Sequence, residues 1–253
     1  MNLVSLLFHD VYLTDPRESG FSSPAADRYK LRLPDFEAQL RGLKSAGRPF
    51  TITVDDGGVS CYTLMVDRLE AEALRAYCFV STGMIGRPAF LSAAQIRELD
   101  ARGHIIGSHS VTHPARFSAC TPGQMREEWS QSRKTLEDIL GHEVTSASVP
   151  GGYYSRRVAE SAAESGLRVL FNSEPTIAVR EAAGIQIVGR YTIRQGDPAD
   201  LARRLAAPSP WARSSAWARW NAKAVVKPLL GPSYRRVADW VLAGAHGTRP
   251  TWS

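Results

Sequence analysis

The stretch PFTITVDDGG, residues 49–58, decides the fold and indicates where the chemistry lies. Its first six residues form a mostly apolar run that is typical of a buried strand. Two adjacent carboxylates, Asp55 and Asp56, and two glycines follow where a loop should begin. Adjacent ionised carboxylates repel each other unless a cation lies between them or one of them holds a proton. Taken alone, the motif is open to two interpretations, a solvated turn or a divalent-metal site.

A second motif, HSVTH at residues 109–113, follows about fifty residues later. On one turn of a helix, this spacing would place His109 and His113 on the same face, close enough to share one ion. With one carboxylate they form a two-His, one-carboxylate site with open positions for water and substrate, as in hydrolytic zinc and other divalent-metal centres. The other carboxylate is then free to act as a base. A surface histidine pair is the alternative, but the joint occurrence of both motifs after apolar runs favours a metal site.

The rest of the chain alternates strand-like and helix-like segments. Strands are predicted at 3–8, 76–80, 104–107, 169–171 and 185–190, and helices at 36–46, 66–75, 93–102, 122–140, 156–165 and from Asp197 onward. Repeated strand-then-helix units predict a parallel sheet whose carboxyl ends carry the functional loops. Residues 12–33 are predicted to be one long loop, either a lid that faces substrate or a solvated surface loop.

The sequence TVDDG at 53–57, followed by HSVTH at 109–113, resembles the first two motifs of the polysaccharide deacetylase family, which is also called the NodB-homology family or carbohydrate esterase family 4. The resemblance covers roughly residues 48–193 and implies an α/β fold, a distorted (β/α) barrel of the NodB-homology type. It implies Asp55 as the general base, and Asp56, His109 and His113 as the metal ligands.

A weaker match, SVPGGY at 148–153, lies where the family has an Arg-x-Pro-Tyr motif. Pro150 matches, but Ser148 replaces the arginine and Gly151 replaces the aromatic residue. The resemblance implies that the backbone N–H of Gly151 stabilises the oxyanion. Pro150, Gly152 and Tyr153 are then expected to contact substrate.

Two family residues are missing from their usual places. The family arginine orients the base, and a Leu-x-His motif near the end of the domain protonates the leaving amine, yet no histidine lies between His142 and His246. Arg190, in the predicted strand 185–190, is expected to give electrostatic support. His9 follows the first strand and is the surrogate acid candidate, because the ends of barrel strands converge on one site. A satisfied core or loop histidine is the alternative for His9.

Length and cysteine content suit one catalytic unit in a reducing compartment. The 253 residues, 43% of them hydrophobic, are enough for a single α/β barrel domain, which is predicted over residues 1–202. Three cysteines fall in no metal-ligand spacing and leave one unpaired. The first residues lack a basic leader and a small-residue cleavage site, and their apolar run is too short to span a bilayer. We therefore expect a cytoplasmic protein.

Residues 203–253 differ in composition from the rest of the chain. They carry a net charge of +8, whereas residues 1–202 carry −2. Helical spacing puts Arg219, Lys223 and Lys227 on one face, and Trp217 and Trp220 on another. The pattern repeats over 234–241. This basic, tryptophan-rich, amphipathic tail is expected either to pack on the barrel or to lie on an anionic membrane surface. Nucleic acid is not expected as a partner, because no nucleic-acid motif accompanies the charge.

Together these features predict a metal-dependent hydrolase that removes the acetyl group from an N-acetylated sugar. Zinc is the first expectation for the metal, because two of the three ligands are imidazoles, and other divalent ions are alternatives. Two further functions stay open. One is a deformylase-like amidase that acts on a lipid-linked amino sugar, and the other is a sugar-binding protein without turnover.

Overall fold

One curled sheet organises the chain. The structure, a computed structural model, describes residues 2–230, with side chains to residue 222. Its strands are β1 (Val4–Phe8), β2 (Val11–Tyr12), β3 (Leu31–Arg32), β4 (Phe50–Val54), β5 (Ala76–Val80), β6 (Ile105–Ser108), β7 (Ser146–Ser148), β8 (Val169–Phe171), β9 (Arg180–Ala182), β10 (Ile185–Val188) and β11 (Tyr191–Thr192). Within the described residues, nine of these form a sheet in the order β11-β1-β4-β5-β6-β7-β8-β10-β9. All neighbours are parallel except β9 and β10.

A single run of chain, residues 185–192, joins the two ends of the curl. Its first half, β10, pairs with β8 through Val188 and Phe171, and its second half, β11, pairs with β1 through Tyr191 and Leu6. The ladder is interrupted between the two halves at Gly189 and Arg190. This arrangement matches the predicted distorted barrel, with the distortion located at Arg190.

The helices alternate with the strands and cover the outside of the sheet. They are α1 (Pro24–Asp27), α2 (Leu33–Leu40), α3 (Val66–Ala71), α4 (Ala93–Ala101), α5 (Pro122–Leu140), α6 (Arg156–Glu164), α7 (Leu201–Ala206) and α8 (Trp211–Leu230). The long helix α5 begins after the Thr121 cap and ends at the left-handed Gly141, as predicted.

Several predicted helix boundaries were wrong, among them the end of α3, which lies at Ala71 rather than at residue 75. Helix α2 starts earlier and ends at Leu40 rather than at residue 46, because Arg41 adopts an extended ψ of 122° that breaks the helical path. The helix predicted to begin at Asp197 starts only at Leu201. Asp197 instead closes a turn, in which its Oδ2 accepts a hydrogen bond from the backbone N–H of Arg194 at 2.8 Å.

The predicted long loop at 12–33 contains ordered elements. Helix α1 and strand β3 lie within it, and β3 pairs with β2. The buried Lys30 fixes the segment, since its Nζ donates to the carbonyl oxygens of Pro16 at 2.5 Å and Ser19 at 2.8 Å. The loop prediction failed because these short elements are held by such tertiary contacts, which leave no periodic pattern in the sequence.

Apolar side chains fill both sides of the sheet. The outer face of β1 and β4 packs with Phe36 of α2 and with Leu205 of α7 in the largest cluster. Inside the curl, Phe79, Phe171 and Val188 form a small cluster. Because side chains alternate along a strand, Ile52 and Val54 of β4 point to the outer cluster, whereas Thr53 and Asp55 share the inner side.

The predicted domain boundary between residues 202 and 203 falls inside helix α7. Residues on both sides of it, Ala202 and Leu205, are buried in the same core. In α8, Arg213 is buried and donates to the carbonyl oxygens of Leu205 and Ala207, both at 2.6 Å. The repeat predicted at 234–241 lies outside the described residues. No helix in the described part of the chain is both long and apolar enough to cross a membrane.

Candidate active site and metal centre

Asp55 lies at the carboxyl end of β4, buried on the inner side of the sheet. Its backbone N–H extends the strand pairing by donating to the carbonyl oxygen of Phe8 at 3.1 Å. Both carboxylate oxygens accept hydrogen bonds from Arg190, Oδ1 at 2.7 Å and Oδ2 at 2.9 Å. The Ser148 hydroxyl donates to Oδ2 at 2.9 Å. Three of the roughly four acceptor positions of the carboxylate are therefore used, and one remains on Oδ1.

Arg190 is completely buried and uses all three of its guanidinium nitrogens. Nε donates to the carbonyl oxygen of Asn172 at 3.0 Å, and the terminal nitrogens reach Ser148 Oγ at 2.7 Å and Thr53 Oγ1 at 3.2 Å. The planar fork therefore matches the Asp55 carboxylate in a bidentate pair. Ser148, which replaces the expected arginine of the third motif, forms part of this network.

The guanidinium also controls the charge of Asp55. Burial alone would raise the pKa of Asp55, but the positive charge and hydrogen bonds of Arg190, together with nearby His109, hold it below its ordinary value. Asp55 is therefore ionised at neutral pH. Electrostatic support from Arg190 was predicted from the sequence, but its two hydrogen bonds to the Asp55 carboxylate were not.

The structure brings Asp56, His109 and His113 together. Nε2 of each histidine lies 3.4 Å from Oδ1 of Asp56. One ligand atom from each of the three residues can be chosen so that all lie within 4.8 Å of one another. Donor atoms that each lie about 2.0–2.1 Å from a common tetrahedral ion are separated by about 3.3 Å. The donor set and its spacing therefore fit a divalent metal.

A hydrogen bond fixes the ring of His109 in the tautomer that leaves Nε2 free to bind a metal. Its Nδ1 lies 2.9 Å from the carbonyl oxygen of Ser148, so Nδ1–H donates and Nε2 is left as the ligand atom. In the protein without metal, burial lowers the pKa of His109, but Asp55 and Asp56 outweigh burial and raise it. Burial dominates at His113 and lowers its pKa to about 4. Burial opposes the ionisation of Asp56, yet the three nearby imidazoles hold its pKa well below the usual range.

The prediction that the histidine pair lies on a helix was wrong. Residues 109–113 form a loop after β6, in which Ser110 and His113 have φ angles of 65° and 54°. Asp56 has a φ of 80° as well. Left-handed conformations of non-glycine residues cost of the order of 1–3 kcal/mol and persist only where the surroundings enforce them. Two of the three candidate ligands are therefore held in strained backbone.

Glu128, on α5, enforces the loop conformation. Its Oε2 accepts from the backbone N–H groups of Val111 at 2.7 Å and Thr112 at 2.9 Å, and its Oε1 accepts from the Thr112 hydroxyl at 2.6 Å. The Ser110 hydroxyl in turn accepts from the backbone N–H of His113 at 3.1 Å. Sequence reasoning missed Glu128, because one glutamate on a polar helix face carries no signal of its own.

His9 lies close to the candidate centre, among the charged groups of the site. Burial lowers the pKa of His9, and the carboxylates of Asp56 and Asp55 only partly oppose this effect. Nδ1 of His9 is buried and has no hydrogen-bond partner among the described residues. The ring lies 4.8 Å from that of Tyr29. His9 is therefore neutral near pH 7, which weakens its predicted role as an acid.

The third motif forms a turn beside the site. Residues Pro150–Gly152 follow β7, and Gly151 has a φ of 69°. A Cβ at Gly151 would lie 3.0 Å from the carbonyl oxygen of Ala115, so the position favours glycine in both conformation and space. Gly152 is buried against Ser173, and Tyr153 is exposed with the Arg116 guanidinium 5.7 Å from its ring. The substrate roles of Pro150 and of these residues stay predictions.

The N-terminal segment reaches the candidate metal ligands. The Phe21 ring lies 4.8 Å from the His113 ring and 5.0 Å from that of Phe90. This contact favours the lid interpretation of residues 12–33 over that of a free surface loop.

The chain is similar to known deacetylases in sequence. The family model described as polysaccharide deacetylase matches residues 43–170. One relative is the putative polysaccharide deacetylase YxkH of Bacillus subtilis. It is 27% identical to this chain over 145 residues, which make up 57% of this chain and 51% of YxkH. A second relative is the putative polysaccharide deacetylase YheN of the same organism. It is 30% identical to this chain over 101 residues, which make up 40% of this chain and 34% of YheN. The chain thus spans about half the length of YxkH and about a third of that of YheN.

Solved structures share the fold at low sequence identity. The Streptococcus pyogenes deacetylase PplD, in complex with acetate, aligns with a TM-score of 0.70 and 19% identity, over 82% of this chain and 99% of PplD. IcaB from Ammonifex degensii aligns with a TM-score of 0.64 and 20% identity, over 86% of this chain and 97% of IcaB. These alignments confirm the deacetylase-type (β/α) barrel. The family match over half of the chain confirms the resemblance seen in the motifs, and the chain belongs to the polysaccharide deacetylase family.

Proposed function

We propose that this protein hydrolyses the acetamide of an N-acetylated carbohydrate in a metal-dependent reaction that releases acetate and a free amine. One observation carries the proposal. Three metal-type ligands gather within 4.8 Å beside a carboxylate that is ionised, buried and held by a bidentate arginine. Membership of the polysaccharide deacetylase family supports the substrate class.

Asp56, His109 and His113 would hold the metal, with zinc as the first expectation for this donor set. A divalent ion held there would supply Lewis-acid activation of the acetamide carbonyl and of the attacking water. At working pH Asp56 is ionised and His113 is neutral, because the pKa of Asp56 lies below its usual range and burial lowers the pKa of His113 to about 4. The pKa of His109 is raised by Asp55 and Asp56, so a metal bound there would displace its proton.

Asp55 would accept the proton of the attacking water, since it is ionised and keeps one free acceptor position on Oδ1. Its low pKa gives it little driving force as a base. The proton it takes up would therefore pass on readily, and the departing amine is a suitable acceptor. In this scheme the proton moves from water to Asp55 and then to nitrogen. The scheme does not require a protonated His9, whose pKa is lowered by burial.

The backbone N–H of Gly151 would stabilise the developing oxyanion, as the family resemblance implies. The turn at Pro150–Gly152 is anchored through Ser148, which bonds both to Asp55 by its hydroxyl and to His109 by its carbonyl oxygen. A shift of this turn would therefore disturb the base and a ligand together.

The direct test measures metal content and acetate release on the same preparation. Full-length protein would be stripped with a chelator, reloaded with Zn²⁺, Co²⁺ or Mn²⁺, and assayed with N-acetylglucosamine oligomers for acetate and new amine. We expect one ion per chain and metal-dependent acetate release. Asp55→Asn should keep the metal and lose activity by roughly 10²–10⁴-fold. Full activity in Asp55→Asn would refute the assigned base.

The same assay separates the two other functions. Formate release from an N-formylated amino sugar, without acetate release from the acetylated substrate, would establish the deformylase-like amidase. Bound metal and bound sugar with neither product would establish a sugar-binding protein without turnover.

For location, we propose a cytoplasmic protein in peripheral contact with an anionic membrane through the C-terminal tail. The exposed tryptophans of α8 support this, since Trp211 is 81% and Trp217 is 56% exposed next to the exposed Arg219. The cysteine content supports a reducing compartment, since the three cysteines fall in no metal-ligand spacing and leave one unpaired. Flotation with anionic vesicles at low salt tests the contact, and protein that stays in the soluble fraction contradicts it.

A further inference from the structure

A cavity of about 250 Å³ adjoins the candidate active site. Its walls come from residues after β8, from β11 with the residues on either side of it, and from α7 and α8. Two of its residues connect it to the site, because Arg190 binds Asp55 and the backbone N–H of Ser173 donates to the carbonyl oxygen of Gly152 at 3.3 Å. Since β8 and β11 run parallel to β4, the residues that follow these two strands place that part of the wall at the same carboxyl edge as Asp55.

The cavity carries excess positive charge. Arg194 and Arg219 both line it, and neither forms an ion pair with a carboxylate in the part of the chain that the structure describes. The Arg194 guanidinium lies 4.9 Å from the Tyr29 ring centroid, and its buried Nε has no hydrogen-bond partner among the described residues. Within residues 2–222, Arg219 donates only to Ser215 Oγ, at 3.1 Å.

Of the described residues in the wall, Asp197 is the single acid beside these cations. Burial raises the pKa of Asp197, although the nearby Arg194 backbone and the charges of Arg194 and Arg219 oppose the shift. The charge of Arg190 is already balanced by Asp55. Two arginines against one carboxylate therefore leave the cavity with a net charge of about +1, and a guanidinium Nε that still lacks an acceptor.

We propose that this cavity binds the phosphate group of a phosphorylated N-acetylated sugar, such as a glycosyl phosphate or diphosphate. Arginine suits this ligand, because its fork of N–H donors matches phosphate oxygens. The volume lies below the roughly 300–1,000 Å³ of sites that enclose a drug-sized ligand, so it suits one charged group and an adjacent ring. Trp220, also in the wall, offers an apolar face to that ring. The inference rests on the proposed function for the position of the acetamide.

The test uses the full-length, metal-loaded protein and two kinds of measurement. Binding of inorganic phosphate and pyrophosphate is followed by calorimetry. Activity is compared between an N-acetylhexosamine 1-phosphate and the free N-acetylhexosamine, as the ratio of their kcat/KM values. Arg194→Gln and Arg219→Gln remove one charge each, and Arg203→Gln is the matched control, since Arg203 pairs with Asp200 outside the cavity.

We expect the wild type to bind phosphate and to prefer the phosphorylated sugar. Arg194→Gln should weaken phosphate binding about 10- to 100-fold and reduce the preference by a similar factor. The more exposed Arg219 should give about a three- to tenfold loss, and Arg203→Gln should give none. Arg219→Gln keeps the inference testable if Arg194→Gln fails to fold, because Arg219 lies on an exposed helix face.

Absence of phosphate binding in the wild type overturns the inference, whatever the activity. Equal losses in Arg203→Gln and Arg219→Gln also overturn it, because they would reflect general surface charge. Phosphate binding that depends on Arg194 and Arg219, in a protein that hydrolyses neither sugar, supports the anion site while the proposed function fails.

Discussion

Replacement of Arg190 by methionine should destabilise the protein more than any surface arginine substitution. The change keeps much of the side-chain volume but removes both hydrogen bonds to Asp55, at 2.7 and 2.9 Å, inside a fully buried site. Breaking a buried pair by removing one partner costs about 3–5 kcal/mol, because the other charge is left uncompensated. For a chain of this size, that cost lowers the Tm by about 6–20 °C.

The measurement is urea denaturation of the metal-free protein, so that metal affinity does not contribute. Arg180→Met is the matched control, since Arg180 pairs with Glu174 on the surface and should cost at most about 1 kcal/mol. The double variant Arg190→Met with Asp55→Asn tests the cause. It should recover a large part of the lost stability, because no uncompensated charge remains buried.

Wild-type stability in Arg190→Met would refute the reasoning. So would a double variant whose loss equals the sum of the two single losses, because additive losses mean that the two residues do not interact. Arg190→Lys adds an independent comparison. It retains the charge but not the bidentate fork, and should still lower kcat about tenfold or more.

The remaining predictions concern other residues in and around the candidate site. His113→Ala should lose stoichiometric metal while remaining folded, as measured by elemental analysis and circular dichroism. Glu128→Gln should weaken metal affinity about 10- to 100-fold by loosening the loop that carries His113, and a competition titration with a chelator measures this. Burial raises the pKa of Asp10 to about 6, so the stability associated with its neutral form is complete below about pH 3.9 and is lost as pH rises through 6. The unfolding free energy of metal-free Asp10→Asn, relative to wild type, should therefore increase by about 2–3 kcal/mol between pH 4 and pH 7.5, and a difference that does not vary with pH contradicts this.

The sequence allowed the core of the site to be predicted because its residues follow strands directly. Asp55 and Asp56 end an apolar run, and the histidine motif follows another, so the parallel-sheet rule places both motifs at one edge. The candidate ligands come together even though residues 109–113 form a loop and not the predicted helix. A loop with left-handed Ser110 and His113 brings the same two imidazoles to Asp56.

The parts that could not be predicted depend on long-range contacts. Arg190 lies 135 residues from Asp55 in the chain, and its hydrogen bonds to Asp55 form only where the run 185–192 joins the ends of the sheet. Glu128 likewise acts through hydrogen bonds to backbone groups of another segment, and Lys30 through hydrogen bonds to carbonyl oxygens that lie 14 and 11 residues earlier in its own segment. A single sequence contains no periodic signal for such contacts. In the sequence, these residues cannot be told apart from an arginine, glutamate or lysine on the surface.

The run that joins the ends of the curled sheet also carries Arg190, the cationic partner of Asp55. During synthesis from the N-terminus, the carboxylate of Asp55 and its neighbouring ligands emerge long before residue 190. Until then the strand bearing them has neither its cationic partner nor a completed barrel to exclude water. Completion of the barrel and formation of the Arg190–Asp55 pair are thus one event, and we expect a nascent or truncated chain that stops short of this run to lack hydrolytic activity.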